Sequence, residues 1–149
     1  MEQTAKQILE TFDRLGLSRL GAADFALPAE AGAKQAALAA LVESGCLREV
    51  AGQFERTEWG RLEIAGPLEV TFLSRSGCHL CDEALRQIEP LVSGFGTDLR
   101  VVNVDTDRTL RQRYGNEVPV VFLGNRELER NRIDPGHLRA ELIRVSRSR

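Results

Sequence analysis

Two cysteines, Cys78 and Cys81, stand three positions apart in the stretch SRSGCHLCDEA, residues 74–84. The whole chain has only three cysteines, so this pair asks for a chemical reading. Three are open: a redox dithiol, half of a metal site, or coincidence. The apolar run Val70-Thr71-Phe72-Leu73 precedes the pair and a helix-forming stretch follows it, which puts Cys78 where a strand gives way to a helix. A helix N-terminus presents unsatisfied N–H groups and a partial positive charge, and both favour a thiolate. Free cysteine has a pKa of about 8.5, and such surroundings can lower it to roughly 3.5–7.5. The thiolate is the species that attacks a disulfide. Cys81 lies one helical turn deeper, within reach of Cys78 but less exposed. In the redox reading Cys78 is therefore the nucleophile and Cys81 the resolving thiol.

The neighbours of the pair pull in both directions. A charged His79 at the first helical position favours the thiolate while opposing the helix dipole, and Arg75 adds positive potential upstream. Asp82 and Glu83 oppose a thiolate at Cys78 but suit the first turn of a helix. For a metal the donors are too few. A structural zinc takes about four ligands, and beyond the pair the chain offers only His79, distant Cys46 and His137. No metal or other cofactor is expected. Cys46 reads as a small buried hydrophobe, His137 as a surface residue, and Phe54 and Trp59 as packing residues. There is no paired-carboxylate, phosphate-loop or Ser/His/Asp arrangement.

The elements that must position the pair lie after Gly66-Pro67. Leu68 to Leu73 reads as a strand, His79 to Ser93 as a helix with Leu80, Ala84, Leu85, Ile88 and Leu91 on its apolar side. Leu99 to Val104 is so continuously apolar that it predicts a buried central strand. A short helix over Asp105 to Tyr114 follows, with Asp107 as a possible cap. Val118 to Leu123 is a further strand, joined through a Gly124-Asn125 turn to Arg126–Glu129. Asp134-Pro135 starts a last helix with Leu138, Leu142 and Val145 facing the core. The order is βαβαββα, and residues 67–149 form one α/β domain.

Residues 1–66 have another pattern. Ile8, Leu9, Phe12 and Leu15 recur at helical spacing before Gly16. A short helix over Ala22 to Phe25 ends by Pro28, and an alanine-rich helix runs from about Gly32 to Ser44, with Leu38, Leu41 and Val42 as its apolar side. Residues 46–50 and 53–57 read as two strands around Ala51-Gly52, and Thr57 caps a short helix reaching about Ala65. The stretch LVESGCLREVAGQFERTEWGR resembles the winged helix-turn-helix family, which implies an α+β winged-helix-like domain at the N-terminus.

The second domain has a sharper resemblance. SRSGCHLC after a strand, VVNVDTD, and NEVPVVFLGNREL are similar to the glutaredoxin-like branch of the thioredoxin superfamily, and the match covers nearly all of residues 68–148. It implies a thioredoxin/glutaredoxin-like fold and thiol–disulfide exchange. It also implies that Val118-Pro119 is a cis bond beside the cysteines, with Val118 offering its backbone to an extended substrate. His79, Val118 and Pro119 are then the substrate-binding residues. Glutaredoxins that use glutathione usually carry a Gly-Gly followed by an acidic residue after the proline strand. This chain has Gly124-Asn125-Arg126 there, and Arg126, Arg130 and Arg132 read as a solvated face, with an anionic partner as the alternative.

Charge limits the partners. The total is −2. Residues 1–66 hold seven basic and ten acidic side chains, net −3. DNA affinity comes mostly from Lys and Arg on phosphates, and the alanine-rich helix has only Lys34 and Gln35 as evident readers. No apolar run approaches a membrane span, and MEQTAKQILE is not a secretory signal. The expectation is a cytoplasmic thiol–disulfide oxidoreductase acting on a disulfide-bearing protein or a low-molecular-weight thiol. Its N-terminal domain would serve homo-oligomerisation or protein docking. Two other readings stay open: a redox-responsive DNA-binding regulator, and a non-catalytic interaction protein that retains the fold.

Overall fold

A computed structural model describes residues 1–27 and 30–148. The chain divides into two compact units, Met1–Ile64 and Ala65–Arg149. Their boundary falls two residues ahead of the Gly66-Pro67 junction expected from the sequence.

In the first unit, α1 (Gln3–Leu15) buries Ile8, Leu9 and Phe12. Leu15 falls outside that face and is exposed. A two-residue strand, β1 (Arg19–Leu20), follows; it is too short to carry a period and was not legible in the sequence. Ala22–Asp24 is a single 3-10 turn rather than a helix, closed by Asp24, whose carboxylate accepts from the Gly21 N–H. Pro28, expected to end it, lies outside the described residues. The alanine-rich helix is α2 (Ala31–Glu43). It is followed by β2 (Leu47–Val50), β3 (Gln53–Arg56) and α3 (Glu58–Glu63), whose N-cap Thr57 accepts from the Gly60 N–H. The three strands form an antiparallel sheet in the order β1-β3-β2.

In the second unit, β4 (Val70–Ser74), α4 (His79–Gly94), β5 (Leu99–Asn103), α5 (Arg108–Tyr114), β6 (Val120–Leu123), β7 (Arg126–Arg130) and α6 (Pro135–Arg147) follow one another. A 3-10 turn, Val104–Thr106, separates β5 from α5, which Asp107 caps through the Leu110 N–H. The sheet order is β5-β4-β6-β7, with β4 parallel to β5 and antiparallel to β6.

The apolar strand over Leu99 to Val104 was expected to be central. It is an edge: β5 pairs only with β4, and Val101 is 48% exposed. Continuous hydrophobicity marks a strand covered on both faces; at an edge one side remains open, and a valine there is tolerated. The strands that are covered on both faces are β4 and β6, whose apolar residues are buried throughout.

Side chains alternate across a strand. Val70, Phe72, Val121 and Leu123 take one face, where they pack with Ile88 and Val92 of α4 and Leu138 and Leu142 of α6. Each such fully buried aliphatic side chain stabilises the fold by about 1.5–3 kcal/mol. On the other face the Tyr114 ring of α5 meets Phe122 edge-on, with centroids 5.6 Å apart. No helix among the described residues is long and apolar enough to cross a membrane.

Candidate active site

The strand β4 ends at Ser74, and the chain turns through Arg75-Ser76-Gly77 to reach Cys78. The Cys78 N–H donates to the Arg75 carbonyl at 3.3 Å. Gly77 sits at φ +75°, a conformation that a side chain would strain, so glycine suits this position. Cys78 is then the N-cap of α4, in an extended conformation, and its Sγ accepts from the Cys81 N–H at 3.1 Å. Serine or aspartate usually fills this capping role. Here a sulfur does, and it receives an otherwise unsatisfied helix donor. A hydrogen bond to the charged form of an acid favours that form.

Cys78 and Cys81 are joined as a disulfide, with Cα atoms 5.2 Å apart. Cys78 is partly exposed, whereas Cys81 is 2% exposed and belongs to the core with Phe72, Ala84 and Ile88. The two sulfurs therefore differ in access. The Cys78 sulfur is thus the more accessible of the two, and Cys81 is held behind it.

The other expected site residues come together only in part. The Val118–Pro119 bond is cis. Val118 packs against the same core that Cys78 and Cys81 share, and Pro119 is buried. Since β6 begins at Val120, Val118 lies ahead of the strand. The carbonyls on either side of it, of Glu117 and Pro119, both accept from the Asn131 N–H at 3.2 and 2.8 Å. His79 is exposed at the first position of α4.

Two sequence expectations change here. Leu80 was placed on the core side of α4, yet it is 56% exposed. The buried stripe is Cys81, Ala84, Ile88 and Val92. Leu80 lies on the shoulder of that stripe in the first turn, and helical side chains lean toward the N-terminus, so it projects at the Cys78 end of the helix. A stripe anchored on Cys81 instead of Leu80 has the same helical period and would have exposed this in the sequence. Arg75 is expected to add positive potential upstream of the pair. Its guanidinium instead grips the Asp105 carboxylate through Nε and Nη2, at 3.0 and 3.1 Å, and donates from Nη1 to the Gly115 carbonyl at 3.0 Å. Nothing in the sequence announced that pairing, because 30 and 40 positions separate the partners.

The outlying candidates sit elsewhere. Cys46 is buried in the first unit outside any disulfide, and Phe54 and Trp59 are buried there too. His137 lies 3.1 Å from Glu129 on the surface. Of the arginines proposed for an anion, Arg126 pairs with Glu141 and Arg130 with Glu127, both at 2.6 Å. The Glu127 carboxylate raises the pKa of Arg130 further. Among the described residues no cluster of His, Cys, Asp and Glu has the makings of a metal site.

The glutaredoxin-like domain family (DUF836) matches residues 69–143, just over half of the chain. The chain belongs to this family. The glutaredoxin-like unit has a thioredoxin-like fold, and its bonded cysteine pair indicates a thiol-redox role. Uncharacterized proteins of Mycobacterium tuberculosis (strain H37Rv) and Mycobacterium bovis are 33% identical to it over 81 residues, spanning 51% of this chain and 84% of each relative. Among solved structures, a structural-genomics target protein from X. campestris is 34% identical, with a TM-score of 0.42 over 50% of this chain and 96% of that one. Thioredoxin 1 from Thermosipho africanus is 17% identical, with a TM-score of 0.45 over 54% of this chain and 97% of its own.

Proposed function

We propose that the protein is a dithiol thiol–disulfide oxidoreductase. The observation that carries this reading is the Cys78 sulfur at the N-cap of α4, accepting the Cys81 N–H and bonded to Cys81. In the reduced protein the Cys78 thiolate attacks one sulfur of a client disulfide. The S–S bond breaks, the second client sulfur leaves as a thiolate and takes a proton, and a mixed disulfide remains. The Cys81 thiolate then attacks Cys78 Sγ and displaces the first client sulfur, which is protonated in turn. Two electrons pass to the client, and Cys78–Cys81 is left oxidised. A thiol or dithiol donor restores the dithiol by the reverse exchange.

His79, Leu80, Val118 and Pro119 are the surface a client meets. An exposed leucine beside the nucleophile favours a polypeptide disulfide flanked by apolar side chains over a small polar thiol. Val118, lying ahead of the β6 ladder, offers main chain to an extended segment. The deciding experiment follows insulin reduction by the pre-reduced full chain, wild type against Cys78→Ser. Loss of activity in the variant supports the mechanism, and unchanged activity overturns it.

The first unit acts in this reading as a cytoplasmic docking module of winged-helix type. Its sheet order β1-β3-β2, with α2 ahead of the β2–β3 hairpin, supports that description. Lys34, one of two evident DNA readers, is engaged within the unit, where it donates to the Ala22 carbonyl at 3.0 Å. The side chains of Ala33, Ala36, Ala39 and Ala40 lie exposed along α2. A small, uncharged helix face beside a net charge of −3 suits another protein surface, a second copy of this chain first of all, better than phosphates. Sedimentation of wild type against Ala36→Glu tests this: a shift of the wild type alone to the dimer mass is the expected result, and a monomer for both removes it.

A further inference from the structure

The two loops that meet a client come from distant parts of the chain. The cysteine loop, residues 75–78, follows β4; the proline loop, residues 115–119, follows α5. A client must touch both at once, so their relative placement sets whether its disulfide reaches Cys78. Arg75 joins them. Its backbone carbonyl closes the turn onto Cys78, while its Nη1 donates to the carbonyl of Gly115, the first residue of the proline loop. The other two nitrogens of the guanidinium fork, Nε and Nη2, hold Asp105. Asp105 is itself fixed, because its N–H donates to the Asn103 side-chain oxygen at 2.9 Å. The Asn103 amide nitrogen donates back to Ser76 Oγ in the cysteine loop at 3.2 Å. The far side of the proline loop is held by the Asn131 N–H and by Asn131 Nδ2 on the Glu117 carboxylate at 3.1 Å.

We propose that Arg75 is a positioning residue that ties the cysteine loop to the proline loop, so that an extended client on Val118 presents its disulfide to Cys78. This rests on the oxidoreductase reading above. The planar fork is what the task needs: it meets a carboxylate with two donors and a carbonyl with a third in fixed directions, which a lysine point charge does not. Since the Asp105 carboxylate neutralises it, the role is geometric and not that of a bare cation beside the thiolate. The pair is about two-fifths exposed on each side, 38% and 39%, so it adds little to global stability.

The test uses the full chain with Arg75→Lys, Arg75→Met and Asp105→Asn, and two readouts. One is kcat/KM for insulin reduction, which needs both loops. The other is the pH profile of Cys78 alkylation by iodoacetamide in a Cys46→Ser, Cys81→Ser background, which needs only the thiolate. Small misplacements of reacting groups cost one to two orders of magnitude, so all three variants are expected to lose ~10-fold or more in kcat/KM. Their alkylation profiles stay as in the parent. Retained insulin reduction in Arg75→Lys overturns the proposal. So does an alkylation midpoint that rises in Arg75→Met, falls in Asp105→Asn and is restored in Arg75→Lys, because Arg75 then acts through its charge. Asp105→Asn is nearly isosteric and keeps the test open if Arg75→Met folds poorly. A wild type that reduces no insulin sinks the oxidoreductase reading itself; an active wild type with unaffected variants sinks only the role of Arg75.

Discussion

The N–H of Cys81 donates to the sulfur of Cys78 at 3.1 Å, across the opening turn of α4. One side chain therefore caps the helix and is the more exposed sulfur of the pair, and the residue that supplies the donor is also the one that closes the disulfide. On reduction the same donor remains in place for a thiolate. Iodoacetamide alkylation of Cys78 in a Cys46→Ser, Cys81→Ser background is expected to titrate below the free-cysteine value of about 8.5. A midpoint at or above that value removes the thiolate argument. With Cys81→Ser alone, a mixed disulfide between Cys78 and client should accumulate and be visible by intact mass.

Leu80 stands in solvent at the same end of the helix. Leu80→Gln, which adds no charge beside Cys78, is expected to leave stability within about 0.5 kcal/mol of wild type, as exposed substitutions do. It should lower kcat/KM for insulin several-fold, in line with loss of a small apolar contact of ~1 kcal/mol, while reduction of cystine is unchanged. Equal losses for both substrates mean that Leu80 does not select clients.

Glu55 lies in β3 directly across from Arg19 of β1 and Arg48 of β2. Hydrogen bonds from Arg48 and then Arg19 lower its pKa. The pairing thus contributes stability above the unfolded carboxylate value of about 4.3, and that contribution is lost as pH falls through the lower folded value. Trp59, the only tryptophan, is buried in this unit and reports its unfolding. Glu55→Gln should flatten the decline of the urea midpoint across that acidic window and leave a lower, pH-independent midpoint above it.

Gly60 has no room for a side chain. A Cβ there would stand 2.2 Å from the Cys46 carbonyl oxygen, which also accepts from the Thr57 N–H. Gly60→Ala is expected to cost the N-terminal unit at least ~1–3 kcal/mol through overpacking. Gly32→Ala, in α2 with open space around it, should stabilise by about 0.5–1 kcal/mol. The Trp59 urea midpoint reads both, and a neutral Gly60→Ala shows that the backbone at Cys46, just ahead of β2, can yield.

Sequence determined the parts whose causes are local. Helical spacing at Ile8, Leu9 and Phe12 is enough to bury one side of α1, and Thr57, Asp107 and Asp134 cap helices because their oxygens reach donors two or three residues on. The place of Cys78 at a strand–helix junction follows from the same local rules, and so does its exposure relative to Cys81. What tertiary structure decided are the relations that no period carries. The strand over Leu99 to Asn103 is an edge because pairing order, not hydrophobicity, selects the centre of a sheet. Leu80 faces solvent because it sits beside the buried stripe of Cys81, Ala84, Ile88 and Val92 and not on it. Arg75 meets Asp105 and Gly115 because parallel pairing of β4 with β5 sets Ser74 beside Asn103. Charge alone foresaw its sign, but only the register of two strands supplied its partner, and with it a fixed geometry in place of a free field.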